Sequence, residues 1–144
     1  MHSFSTAAAI QVAVVFVWLG MVLAISFLEA PIKFRAPGIT IPLGVGIGRL
    51  VFRALNAVEA ALAVALVVCV SVAPETTAAT WVPVAILIAD LAVGAGVLRP
   101  VMDRRVVAGD VTDGVPRHNL HFGYIGLEVA KVVLLIWLGI VSLP

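Results

Sequence analysis

The chain has 144 residues, of which 62% are hydrophobic and 12% charged, far from the roughly 45–50% apolar and roughly 25% charged mixture of soluble domains. Its net charge of +1, with basic residues not interleaved with aromatics, excludes a nucleic-acid-binding surface. A single cysteine, Cys69, excludes an intrachain disulfide and a multi-cysteine metal site.

What remains is an all-α, polytopic membrane protein, a single transmembrane domain over residues 1–144. A hydrocarbon core needs about 20 mostly apolar helical residues. Four segments qualify, near residues 7–30, 48–72, 80–98 and 117–143, and together they predict a four-transmembrane-helix bundle. The first has no Lys or Arg before it and is too long for a signal-peptide core, so it is expected to stay in the mature protein. After it, Pro31, Pro37 and Pro42 are expected to break the loop into short extended pieces along the interface, where Glu29 would pair with Arg35 or Arg53. The run from Gly44 to Gly48 lacks the spacing of a phosphate loop and reads as a flexible helix entry or a surface for close helix approach. Pro74, Glu75, Thr76 and Thr77 predict a tight connection between the second and third helices, followed by Trp81 as an interfacial anchor.

Eight of the nine basic residues fall on one side of this layout. Lys33, Arg35, Arg49 and Arg53 flank the first long loop, and Arg99, Arg104, Arg105 and Arg117 flank the second. The positive-inside rule makes that side cytoplasmic and puts both termini outside, in a multi-pass cell-membrane protein. Sliding the chain against itself by 69 residues superposes Pro31 on Pro100, Arg35 on Arg104 and Glu59 on Glu128. Such a repeat implies two tandem helical hairpins related by a pseudo-twofold along the membrane normal, with the two glutamates facing each other across it.

The ninth basic residue, Lys131, and three carboxylates, Glu59, Asp90 and Glu128, lie inside the apolar segments. Ionised groups there are costly unless paired or turned to a cavity, so they mark a site. Glu59 and Glu128 each lie about 16 Å from the cytoplasmic edge, near the middle of the core. Arg49, Arg53, Asn56 and Glu59 fall within an arc of about 120° on the second helix, and His118, His121, Glu128 and Lys131 within about 140° on the fourth. These stripes are expected to turn inward, Asn56 joining the ligand- or proton-binding set. Arg49, Arg53, Arg117 and His118 would form a cytoplasmic mouth able to attract an anion or an anionic headgroup. One lysine cannot balance three carboxylates, which leaves titratable carboxyls, the requirement for proton coupling. The bland alternative is that these groups only hold the bundle together.

His118 and His121, spaced i, i+3, with Tyr124, could serve haem iron, a metal or a quinone. Bis-histidine haem is excluded within one chain, because both ligands would come from one helix. No cofactor is firmly implied, and no Gly-x-Ser-x-Gly or similar constellation supports hydrolytic catalysis.

Trp18-Leu19-Gly20, Ala30-Pro31, Phe34-Arg35, a Gly-rich helix entry with Phe52, and Arg99-Pro100 followed by His121 together resemble the TMEM205-like family of small four-helix membrane proteins, a domain of unknown function. That resemblance implies a fold and a membrane location, and a link to heavy-metal or drug resistance is suspected for its animal members. A looser similarity of layout, to copper-resistance D and HemJ-type membrane proteins, implies haem, copper or redox chemistry. The present chain departs from those families in having no His in its first helix.

Three functional expectations follow. The first is a binding or transport protein for a small solute or cation, with proton coupling through Glu59 and Glu128, assisted by Asp90, with Lys131 as charge partner; a chain this small would work as a homodimer in the lipid bilayer. The second is a membrane redox protein or enzyme binding haem or quinone. The third is a structural subunit of a larger membrane complex.

Overall fold

A computed structural model describes residues 5–73, 76–101, 104 and 118–143, without the side chains of residues 118–121. The described residues contain four helices long and apolar enough to cross a membrane: α1 (Thr6–Arg35), α2 (Ile41–Val72), α3 (Ala78–Val101) and α4 (His118–Val141). They form a bundle in which α1 packs on α2 and α4, and α3 packs on the same two helices from the opposite side. Large apolar residues from every helix, among them Phe16, Leu50, Val64, Ile86, Val133 and Ile140, lie on the outside. An outer surface of this kind is stable only against acyl chains, so the chain is an integral membrane protein.

Local chemistry sets the helix ends. Ser5 caps α1 by accepting a hydrogen bond from the Ala8 N–H at 3.2 Å, and Thr40 caps α2 by accepting from Leu43 at 3.4 Å. Between them the chain reverses in five residues around Pro37 and Gly38, whose φ of 78° suits a residue without Cβ. Pro42 sits in the first turn of α2, where its missing N–H would have no helical partner. The expected extended loop at Pro31 and Pro42 is therefore replaced by helix on both sides of a short turn. Spans predicted as 7–30, 48–72 and 80–98 lengthen accordingly. At 1.5 Å per residue α2 is about 48 Å long, well beyond a hydrocarbon core of about 30 Å. Glu29 pairs with Lys33 one turn on, at 3.3 Å, instead of with Arg35 or Arg53.

Two π-helical turns explain how α1 and α3 run through proline. In α1 the π segment covers Leu23–Glu29 and closes with the Ala30 N–H on the Ile25 carbonyl. In α3 it covers Gly94–Leu98 and closes with Arg99 N–H on Gly94. In each a proline, Pro31 or Pro100, follows after one intervening residue. A proline lacks the N–H of the next α-helical bond and crowds the carbonyl four residues back, and a wider turn accommodates both defects without ending the helix.

Pro31 and Pro100 are also the pair that the 69-residue offset superposes, and burial follows the same offset. The buried residues Gln11, Val15, Trp18, Leu55, Glu59, Leu66 and Cys69 correspond to Thr80, Val84, Leu87, Tyr124, Glu128, Leu135 and Leu138, all buried as well. The two halves thus bury equivalent positions, and this places Glu59 and Glu128 on diagonally opposed helices at the bundle axis.

Along that axis the bundle has two unlike ends. Toward the termini, Val15, Trp18, Val22, Leu66, Val70, Val84, Leu87, Leu135 and Leu138 form a closed apolar core. Toward the basic loops, α1 and α2 approach closely at Gly44, where an added Cβ would come within 2.4 Å of the Phe34 ring. Gly44 to Gly48 is thus a helix-contact surface rather than a flexible entry. Beyond it the helices enclose a cavity instead of a core.

Candidate functional site

Where the apolar core ends and the cavity begins, α4 carries Glu128 and Lys131 one turn apart. The Lys131 ammonium lies 3.0 Å from Glu128 Oε1 and 2.9 Å from Glu59 Oε1 on α2. One lysine thus bridges both glutamates. Lys131 and Glu128 are each 3% exposed and Glu59 is fully buried, a location where charge is stable only with its partners in place.

The two carboxylates are held differently. Glu59 also accepts from the Trp18 indole N–H at 2.9 Å and, with the Asn56 amide assigned the orientation that turns its NH2 to Glu59 and its oxygen to Arg99, from Asn56 at 3.1 Å, so both of its oxygens are occupied by donors fixed on three helices. Glu128 accepts from Lys131 on one oxygen and from the Ser26 hydroxyl, at 2.7 Å, on the other. Ser26 belongs to the π-helical turn of α1, and both Ser26 and Glu128 line the cavity. Glu59 is sealed; Glu128 is the ionisable group shared by the buried network and the cavity.

Asp90 on α3 is buried, and its Oδ2 has no hydrogen-bond partner among the described residues. It lies within electrostatic reach of Lys131, Glu128 and Glu59. The described residues therefore bring all four intramembrane ionisable groups of the sequence into one neighbourhood.

A second layer adjoins the network on the basic side. Arg99, one residue past the π turn of α3, donates through Nε to the Asn56 amide oxygen at 2.8 Å and through Nη2 to the Tyr124 hydroxyl. Its guanidinium carbon sits 4.6 Å from the centre of the Phe52 ring and 5.0 Å from that of Tyr124. The two rings meet edge to face, 5.8 Å apart at 87°. Such stacking fixes the guanidinium plane. Tyr124, expected as a haem or quinone contact, is held here as the partner of Arg99.

The cavity has a volume of about 600 Å³, within the range of roughly 300–1,000 Å³ typical of small-molecule sites. Phe27, Pro31, Phe34, Phe52 and Ile125 make its walls largely apolar, while Lys33, Arg49, Arg99, Tyr124 and Glu128 contribute its polar groups. It is thus an apolar chamber with a charged floor and mouth. Phe27 and Ile125 are also exposed on the outer surface, so the chamber reaches the face turned to lipid.

Of the expected mouth residues, Arg49 lines the chamber and Arg53 does not; Arg53 is exposed. At 100° per residue Phe52, Asn56 and Glu59 fall on one side of Arg49 within about 80°, and Arg53 falls about 40° on the other. Arg117 and the side chains of His118 and His121 lie outside the described residues. Among the described residues no group of three His, Cys, Asp or Glu side chains could hold a metal ion. Trp18, Ser26 and Arg99 contribute contacts to the site that the spacing of charged residues did not reveal. Gln11, Val15, Trp18, Val22 and Ser26 share one face of α1 at intervals of three or four, but the helix is apolar all round, so that face does not stand out in the sequence.

Compared with known proteins, the chain matches no family model, no curated protein and no solved structure.

Proposed function

We propose that the protein binds or transports a small solute across the cell membrane, with Glu128 as its proton-exchanging group. The observation that supports this reading most is the double attachment of Glu128. One oxygen belongs to the buried Lys131–Glu59 pair, and the residue also lines the chamber. A group placed there can trade its bond to Lys131 for a proton or a ligand cation arriving through the chamber. Glu59, held by Trp18, Asn56 and Lys131, then keeps the lysine charged and in place while Glu128 changes state. Asp90 supplies a second protonatable carboxyl beside the network. The chamber lies at the end bearing Lys33, Arg49 and Arg99, which the positive-inside rule assigns to the cytoplasm.

The test is infrared spectroscopy of the purified full chain, titrated with pH in lipid. A carboxylic-acid component that follows bulk pH is expected in wild type and in Glu59→Gln and is expected to be lost in Glu128→Gln, while the other carboxyls, Asp90 among them, keep the rest of the band. An identical titrating band in wild type and Glu128→Gln would exclude Glu128 as the exchanging group. A titration that neither Glu59→Gln nor Glu128→Gln changes would leave the cluster a structural clamp.

A further inference from the structure

The chamber carries more positive than negative charge. Lys33, Arg49 and Arg99 line it on one side of the balance and Glu128 alone on the other, and Glu128 is itself paired with Lys131. Lys33 is paired with Glu29. Arg99 differs: among the described residues its partners are neutral, the Asn56 amide, the Tyr124 hydroxyl and two aromatic faces. A guanidinium has five N–H donors, and two are used in these bonds. A half-buried cation with no acidic partner among the described residues and with donors to spare, fixed in orientation at the wall of an apolar chamber, is a built receptor for an anion.

We infer that the chamber binds a single-chain amphiphile with a carboxylate head, of the fatty-acid class, the carboxylate meeting Arg99 and the chain lying along Phe27, Phe34, Phe52 and Ile125. This rests on the transport reading above and names its ligand. The apolar walls require an apolar body, and simple inorganic anions lack one. The volume of about 600 Å³ admits one such chain. A planar carboxylate matches the fork geometry of a guanidinium. A phosphate head, with close to two negative charges near neutral pH, would meet repulsion from Glu128 on the same chamber wall. Entry from the bilayer is open where Phe27 and Ile125 reach the outer surface. Proton exchange at Glu128 fits this ligand, since an anion moving into the chamber next to a carboxylate is favoured when that carboxylate takes up a proton.

The experiment measures binding of radiolabelled oleate to the full chain in nanodiscs of ether-linked phosphatidylcholine, which release no fatty acid. Methyl oleate, oleyl phosphate and a decyl-benzoquinone serve as competitors. Oleate is expected to saturate at one per chain, with each competitor at least tenfold weaker. Arg99→Gln is expected to weaken oleate at least tenfold, about 1.4 kcal/mol, and to leave the methyl ester unchanged, with Arg99→Lys in between. Equal binding of oleate and its ester, tighter binding of the phosphate or the quinone, or full oleate affinity in Arg99→Gln would each overturn the assignment. The head-group series needs no variant, so it decides the question even where Arg99→Gln fails to fold. Oleate that does not bind to a chain whose Glu128 still titrates removes the ligand class alone. Oleate that binds where Glu128 does not titrate removes the proton reading alone.

Discussion

Replacing Lys131 by methionine keeps the length of the side chain and deletes its charge, and so asks what the buried cluster contributes to the fold. In the native bundle Lys131 meets Glu59 at 2.9 Å and Glu128 at 3.0 Å. All three side chains are out of contact with lipid and water or nearly so. Were these two contacts ordinary side-chain hydrogen bonds, each worth about 0.6 kcal/mol in a membrane protein, their loss would cost about 1.2 kcal/mol. Removing one partner from a buried ion pair instead costs about 3–5 kcal/mol, because charge is left behind without compensation. The structure places Lys131→Met in the second class, with two carboxylates stranded. The triple variant Glu59→Gln/Glu128→Gln/Lys131→Met removes all three charges of the bridge together and is expected to recover to within about 2 kcal/mol of wild type. Unfolding in mixed micelles of rising dodecyl sulfate, followed by circular dichroism, measures both. A loss below about 1 kcal/mol for Lys131→Met, or a triple variant as unstable as the single one, would refute the reasoning.

Trp18→Phe keeps an aromatic ring in the core but removes the N–H that Glu59 accepts. A loss of about 1.5–3 kcal/mol is expected for a bond to a charged group, and the same micelle titration reads it. Gly44→Ala forces the Phe34 ring away from α2, since the new methyl would sit 2.4 Å from it. A cost of about 1–3 kcal/mol is expected, together with altered ligand affinity, because Phe34 and Gly44 both line the chamber; thermal denaturation and the oleate assay check the two effects. Asp90→Asn replaces a carboxyl whose Oδ2 has no partner among the described residues. Stability within about 1 kcal/mol of wild type is expected, and a collapse of the fold would show that a charged Asp90 holds the bundle.

Much of this arrangement was legible in the chain because rare residues in an apolar background carry strong constraints. Glu59, Asp90, Glu128 and Lys131 had nowhere to go but inward, and the basic residues had to collect at one end. The repeat was visible for the same reason, through Pro31, Arg35 and Glu59 matched on Pro100, Arg104 and Glu128. Other features were hidden by that background. In α1 every face is apolar, so hydrophobic periodicity could not separate the inward positions of Trp18 and Ser26 from those facing lipid. Pro31 and Pro100 read as helix ends because a proline breaks an α-helical bond, while the π turn that absorbs the defect leaves no mark in composition. Arg99 read as a membrane-flanking charge; its position one residue past a π turn, stacked on Phe52 and Tyr124, depends on tertiary packing. Arg53, four residues on from Arg49, sits about 40° away on the side opposite Phe52, Asn56 and Glu59 and is exposed, a placement that spacing alone does not separate from that of Arg49.

One lysine touches two glutamates from different helices, and the chain suits a direct measurement of that bridge because it contains only two lysines, Lys33 and Lys131. In a Lys33→Arg background, labelling with ¹⁵Nζ-lysine and ¹³Cδ-glutamate lets solid-state NMR read the distances from Lys131 to the carboxyl carbons. Strong dipolar dephasing from two carboxylates is predicted, falling to one in either Glu59→Gln or Glu128→Gln. A Lys131 signal that shows no dephasing, or that is unaffected by Glu59→Gln, would contradict it.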